Sequence, residues 1–220
     1  MAYQSSDVRA VFATADAVAA DPDGLAQSQT PGGAGNLTLN GALTSGGVGT
    51  FVSSRQITIT STGNISNRTF TITGTDVSGA VLGVVITGPN AATVTTSAHF
   101  RTITQISISG AAAAAVTAGM NGNAIEVITT GRARIKGAFI VNSANAGTVS
   151  FVDTATPDAT SATADLITAA TRLKLGTVAS ATAERDVTIP GDGLVFINNV
   201  YVFYTAAAAV PWTNMTVFLA

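Results

Sequence analysis

From Phe51 to Gly110 the chain alternates apolar and hydroxyl-bearing residues with a period of two. Ile57 and Ile59 are flanked by Gln56, Thr58 and Thr60, and Phe70 and Ile72 by Thr69, Thr71 and Thr73. Successive side chains of a strand point to opposite faces, so this spacing predicts strands over 55–60 and 69–73, with Ile and Phe on one face and Thr on the other. Thr is β-branched and fits a pleated surface, which keeps strand propensity without exposing apolar area. The turn formers of 61–67 (STGNISN) predict that these two strands are a hairpin or sequential antiparallel neighbours. Residues 80–87 are apolar almost throughout, which predicts a strand buried on both faces. Over 100–109, Ile103, Ile106 and Ile108 alternate with Thr102, Gln105 and Ser107, and the slip at Thr104 and Gln105 predicts a β-bulge.

The same grammar organises the rest. Residues 7–20 fit a short helix capped by Asp7, with Val8, Val11, Phe12 and Ala15 on one face, and equally an extended arm with a strand around 8–14. Residues 21–35 (DPDGLAQSQTPGGAG) read as loop, so 1–35 is expected to be an N-terminal arm. Leu37 and Leu39 alternate within 36–43, the expected first strand. Over 110–122 five consecutive Ala bracketed by Gly predict a connection or small edge strand, with a domain boundary at 119–123. Further strands are expected at 124–130, 134–141, 148–153, 173–178, 186–189, 193–197, 200–204 and 215–219. A long loop is expected over 154–170, with one helical turn possible at 164–170. Short strands at this spacing predict an all-β protein: two small antiparallel β-sandwich domains, 36–122 and 123–220, behind the arm.

Composition narrows the function. Of the 220 residues only 10% are charged, the net charge is -2, one His is present and Cys is absent. Without a basic stripe, nucleic-acid binding through phosphate neutralisation is not expected. Thiolate metal sites and disulfides are excluded. The first residues lack the pattern of a secretory signal, and no apolar run approaches the roughly 20 residues needed to span a bilayer. So few charges leave little repulsion between copies, which favours a protein packed against others.

Candidate chemistry is thin. His99 has no carboxylate near it in sequence and no nucleophile elbow accompanies it, so it reads as a polar residue at a strand start. Asp21-Pro22-Asp23-Gly24 opens like a calcium loop but lacks the later ligands, and reads as a turn. Asp153, Asp158 and Asp165 share one stretch read as a solvated loop, with few aromatic platforms for a sugar. Arg132, Arg134 and Lys136 alternate on one strand, as an interface ion pair or an edge-protecting row would. No catalytic, cofactor-binding or metal-binding residue is assigned, and no enzyme activity is expected. The candidate site is instead an interface. It comprises Val81, Val84 and Val85 in the first domain and Phe196, Tyr201, Phe203 and Trp212 in the second, since aromatics anchor interfaces out of proportion to their number. A closed homo-oligomer, a trimer, would cover these faces.

The segments NLTLNGAL, RQITITSTGN, RTFTITGTD and GVVITGPNAATVTTSAHFRTITQISISG, spanning about 36–122, resemble a module of tailed-bacteriophage virion proteins. In that module a strand ending ITSxGN is followed by FTxTGTD, a VTGPNA-like turn and a FxTITxIxxSG strand. This chain departs from it in having GAVLGVVI where polar residues are usual, which implies an edge buried against a neighbour. The second half, through VTIPGDGLVF, is similar to small β-sandwich phage proteins with a PGxGxxF turn. The resemblance implies a structural component of a phage particle, assembled in the bacterial cytoplasm. Its partners would be the major capsid protein or other virion proteins. It would act as a capsid decoration (cement) protein, as a neck or tail accessory protein, or as a tail-tip carbohydrate-binding module in which Trp212 and Tyr201 or Tyr204 stack on sugars.

Overall fold

The computed structural model describes residues 8–14, 19–155, 170–177, 183–206 and 212–220. The protein is all-β and antiparallel. Strand β1 is Arg9–Thr14. Then come β2 (Asp21–Gln29), β3 (Gly35–Asn36), β4 (Thr44–Ser45), β5 (Val48–Ser61), β6 (Thr69–Thr75), β7 (Val81–Thr87), β8 (Thr93–Ile108) and β9 (Val116–Thr129). After these come β10 (Ala133–Asn142), β11 (Gly147–Thr154), β12 (Thr171–Thr177) and β13 (Glu184–Thr188). The chain closes with β14 (Leu194–Phe196), β15 (Asn199–Ala206) and β16 (Trp212–Leu219). The described residues fall into two units: Ala19–Ile125, and residues 8–14 together with those from Glu126 onward. The division lies inside β9.

In the Ala19–Ile125 unit the strand order is β7-β6-β8-β5-β9, with β2 on β9, β3 on β8 and β4 on β5. The alternating residues do what their spacing predicts: Ile57, Ile59, Phe70, Ile72, Phe100, Ile103 and Ile106 are fully buried in one core. Each such side chain contributes about 1.5–3 kcal/mol. β5 and β6 are not neighbours, however. The 16-residue β8 lies between them, pairing Thr60 with Thr93 at one end and Phe70 with Ile108 at the other. The hairpin is β6–β7, closed by Asp76, whose Oδ1 accepts from Ser78 N (2.8 Å), Ser78 Oγ (2.6 Å) and Ala80 N (3.0 Å). The bulge is present: the register steps from Thr73↔Gln105 to Gly74↔Ile103 and leaves Thr104 extra. A Cβ at Gly74 would stand 1.8 Å from Thr102 O, so the bulge requires glycine there.

Several expectations are corrected. Of the two readings of the N-terminal segment the strand holds, as β1. Residues 21–35, expected as loop, contain β2, with Gly24, Leu25 and Ala26 buried. Glycines facing β2 let backbones approach it: a Cβ at Gly119 would lie 1.9 Å from Asp21 O, and one at Gly41 would lie 2.2 Å from Gly24 O. For the same reason 110–122 is not a minor connection; the first half of β9 is there, with Val116, Ala118 and Met120 buried. Over 36–43 the ladder stops at Asn36, although Leu37 is buried and its N–H reaches Ile106 O at 2.8 Å. Beyond it the Gln29 side chain replaces a strand partner, accepting from Thr38 N at 3.0 Å and donating to Thr38 O at 3.1 Å.

The second unit contains β1-β16-β10-β13, with β14 also on β10, and β12-β11-β15. Ile135, Ala138, Ile140, Met215, Val217 and Leu219 are buried from the first set, and Val149, Phe151, Val200, Val202 and Tyr204 from the second. β10 is interior to its sheet, so its basic residues protect no edge. Lys136 Nζ donates to Gly191 O at 2.8 Å and Arg134 pairs with Asp192 at 3.5 Å, so both hold the 190–193 turn, while Arg132 is exposed. Most of 154–170, with the helical turn expected there, lies outside the described residues, as does Val178 at the end of the expected 173–178 strand.

Candidate interaction surfaces

Val81, Val84 and Val85 fall together on β7, which ends its sheet. The strand is not buried on both faces within the chain. Leu82, Val84 and Ile86 face the core, while Val81 (86% exposed), Gly83, Val85 (63% exposed) and Thr87 face outward. The reason is positional: only an interior strand covered above and below has both faces dry. Beside the two valines, Thr71, Thr73 and Thr75 of β6 continue the outward face. It carries no charge over this area.

The aromatic candidates do not gather in the same way. Phe196 (0% exposed) and Tyr201 (3% exposed) are core residues of their own unit, and Phe203 is half-buried opposite Ser150. Trp212 opens β16 opposite Asn142, and its side chain lies outside the described residues. The exposed aromatic surface is elsewhere. Phe12 on β1 is 77% exposed and stands in one row with Thr216 of β16 and Phe139 of β10. Phe218, two residues along β16, shares that face, and it and Phe139 are half-buried. Sequence reasoning missed this trio because it arises from the pairing of β1, β16 and β10, which lie far apart in the chain. The strand period turns Ala13 inward and Phe12 outward.

The polar interior is structural. His99 lies well inside β8 rather than at a strand start, opposite Gln56 of β5. Burial, and then the charge of Arg55, lower its pKa to about 4, so the imidazole is neutral at pH 7. Arg55 is buried too and donates to Gly122 O at 3.3 Å. Gln56 Oε1 accepts from Asn121 Nδ2 (2.8 Å) and Asn123 Nδ2 (3.0 Å), and its Nε2 donates to Ser97 O (3.3 Å). These amide bonds tie β8, β5 and β9 together. Asp153 belongs to β11 and is buried, not part of a solvated loop. Its carboxylate accepts from Ile197 N (3.1 Å), Asn198 N (2.9 Å) and Asn198 Nδ2 (3.2 Å), with Arg172 at 3.3 Å. Burial alone would raise its pKa, but those hydrogen bonds and Arg172 outweigh it and hold the carboxyl below its ordinary value. Asp158 and Asp165 lie outside the described residues. The 21–24 segment forms no ligand cage: Asp21 Oδ1 accepts from Asp23 N at 3.3 Å, and burial raises the Asp21 pKa. Among the described residues no three His, Asp or Glu side chains come together in a way that would hold a metal.

No family model, no curated protein and no solved structure matches the chain.

Proposed function

We propose that this chain is a non-enzymatic structural component of a tailed-bacteriophage particle, a capsid decoration protein that binds the shell and stabilises it. The observation that carries the reading is the exposed, uncharged strand surface at Val81 and Val85 of β7, in a chain with only 10% charged residues. An apolar surface of this kind on a β scaffold suits assembly more than turnover. The resemblance of 36–122 to virion modules supports the same reading and supplies the particle. Its partners are the major capsid protein and copies of itself in a closed trimer. It needs no cofactor, nucleic acid or membrane. A neck or tail accessory role belongs to the same class and differs in copy number. The carbohydrate-binding alternative is weakened because Tyr201 and Tyr204 are buried and offer no open platform. The test is to add the purified full-length chain to particles produced without it. Saturable binding and a higher shell-disruption temperature are expected; no binding to shells, or capture by a glycan array instead, would overturn the proposal.

A further inference from the structure

The open side of β7 has a property that the valines alone do not reveal. Asp76 N donates to Ala80 O at 2.9 Å and Gly88 N donates to Arg68 O at 2.8 Å, so the peptide groups of Ala80 and Gly88 point toward β6 and the segment leading into it. Peptide groups alternate sides along a strand, so those of Leu82, Val84 and Ile86 also point at β6. The N–H and C=O groups of Val81, Gly83, Val85 and Thr87 therefore point away from it. Among the described residues β6 is the one strand paired with β7. Among the described residues this open row has no Lys, no Pro, no inward charge and no bulge in its pairing with β6.

We infer that β7 is a self-pairing edge, across which a second copy of this chain adds its own β7 antiparallel about a two-fold axis at Val84. The register follows from the geometry. An axis at Val84 sets Gly83 opposite the partner copy's residue 85 and Val81 opposite its residue 87, and these are the positions whose peptide groups point outward. Each such pair can exchange both hydrogen bonds. A strand without charge meets no like charge when it faces itself, and Val81 and Val85 of both copies come onto one continuous face. A foreign strand would need only to be extended, whereas this strand fits its own copy across its whole length. The inference does not rest on the virion reading, since self-pairing can hold wherever the protein acts.

The test uses the full chain. Sedimentation across a concentration series should show paired chains, as two or, with three-fold closure, six. Val85→Pro removes an outward N–H and leaves the β6 ladder whole, so it should keep the strand spectrum and raise the dissociation constant at least about 10-fold. If Val85→Pro loses its fold, Gly83→Lys decides, because a side chain at Gly83 meets nothing within 4 Å. The chain has no cysteine, so Val81→Cys and Thr87→Cys report register directly. Mixed, they should form a disulfide-linked pair on oxidation, and each alone should not. A wild-type chain that stays monomeric or forms only trimers would overturn the inference. Self-association unchanged in the folded edge variant, or equal cross-linking by either cysteine alone, would do the same. A trimer that still binds shells would sink the two-fold and leave the virion reading standing.

Discussion

At the scale of single residues, the least replaceable positions are glycines where backbones nearly touch. Gly119 faces Asp21 O at a distance no Cβ could occupy, so β2 and β9 can come together only without a side chain there. Gly119→Ala should cost roughly 1–3 kcal/mol, as overpacked sites do. Gly83→Ala, at an open position, should stay within about 0.5 kcal/mol. Chemical denaturation of the two variants checks this, and equal losses would contradict the strand packing. His99 gives a pH signature. Its folded pKa, about 4, lies below its ordinary 6.5, so the unfolded chain takes up a proton that the folded chain refuses. The stability this confers is whole above pH 6.5 and is lost as pH falls toward 4, by on the order of 3 kcal/mol. Unfolding free energies measured across that window should fall for the wild type and remain flatter for His99→Gln.

Among elements, Asp153 shows how one side chain fixes a turn. The Ile197 and Asn198 amides both end on its carboxylate, so it latches the β14–β15 connection. Asp153→Asn turns one acceptor into a donor facing a donor, and should cost roughly 1–3 kcal/mol in thermal or urea unfolding. Because the carboxyl titrates below its ordinary value, its contribution persists above that value and is lost only at more acidic pH, below the His99 window. The strands around Ile57, Ile72 and Ile106 were legible in sequence because a period of two with apolar residues at every second place has one structural meaning. β2 and the first half of β9 were not, since Gly and Ala carry little periodic signal and their role is to let backbones approach. The β5–β6 neighbourhood was misread because sequence adjacency cannot show that β8 is long enough to pair with both. The Val81 and Val85 surface was legible as an apolar run, but its one-sided burial depended on β7 lying at the sheet edge. Phe12 stayed hidden because its row-mates Thr216 and Phe139 lie on strands far away in the chain.

At the scale of the whole molecule, a charge-poor β scaffold presents uncharged strand surface at β7. Among the described residues its most exposed large apolar side chains are Val81 on the β7 edge and Phe12 on β1, with Val85, Ile197 and Val52 next. Removing the most exposed ring among the described residues, Phe12→Ser, should leave stability within about 0.5 kcal/mol, because little of that ring is buried. If Phe12 contributes to assembly, the same variant should weaken incorporation into particles, which a competition between tagged wild-type and variant chains measures. The most direct test of the central claim is the copy number of this chain in purified particles, by quantitative mass spectrometry against the major capsid protein. The account predicts on the order of hundreds of copies, as shell-wide symmetry requires. About a dozen would move the protein to the neck or tail, and absence from the particle would contradict the account.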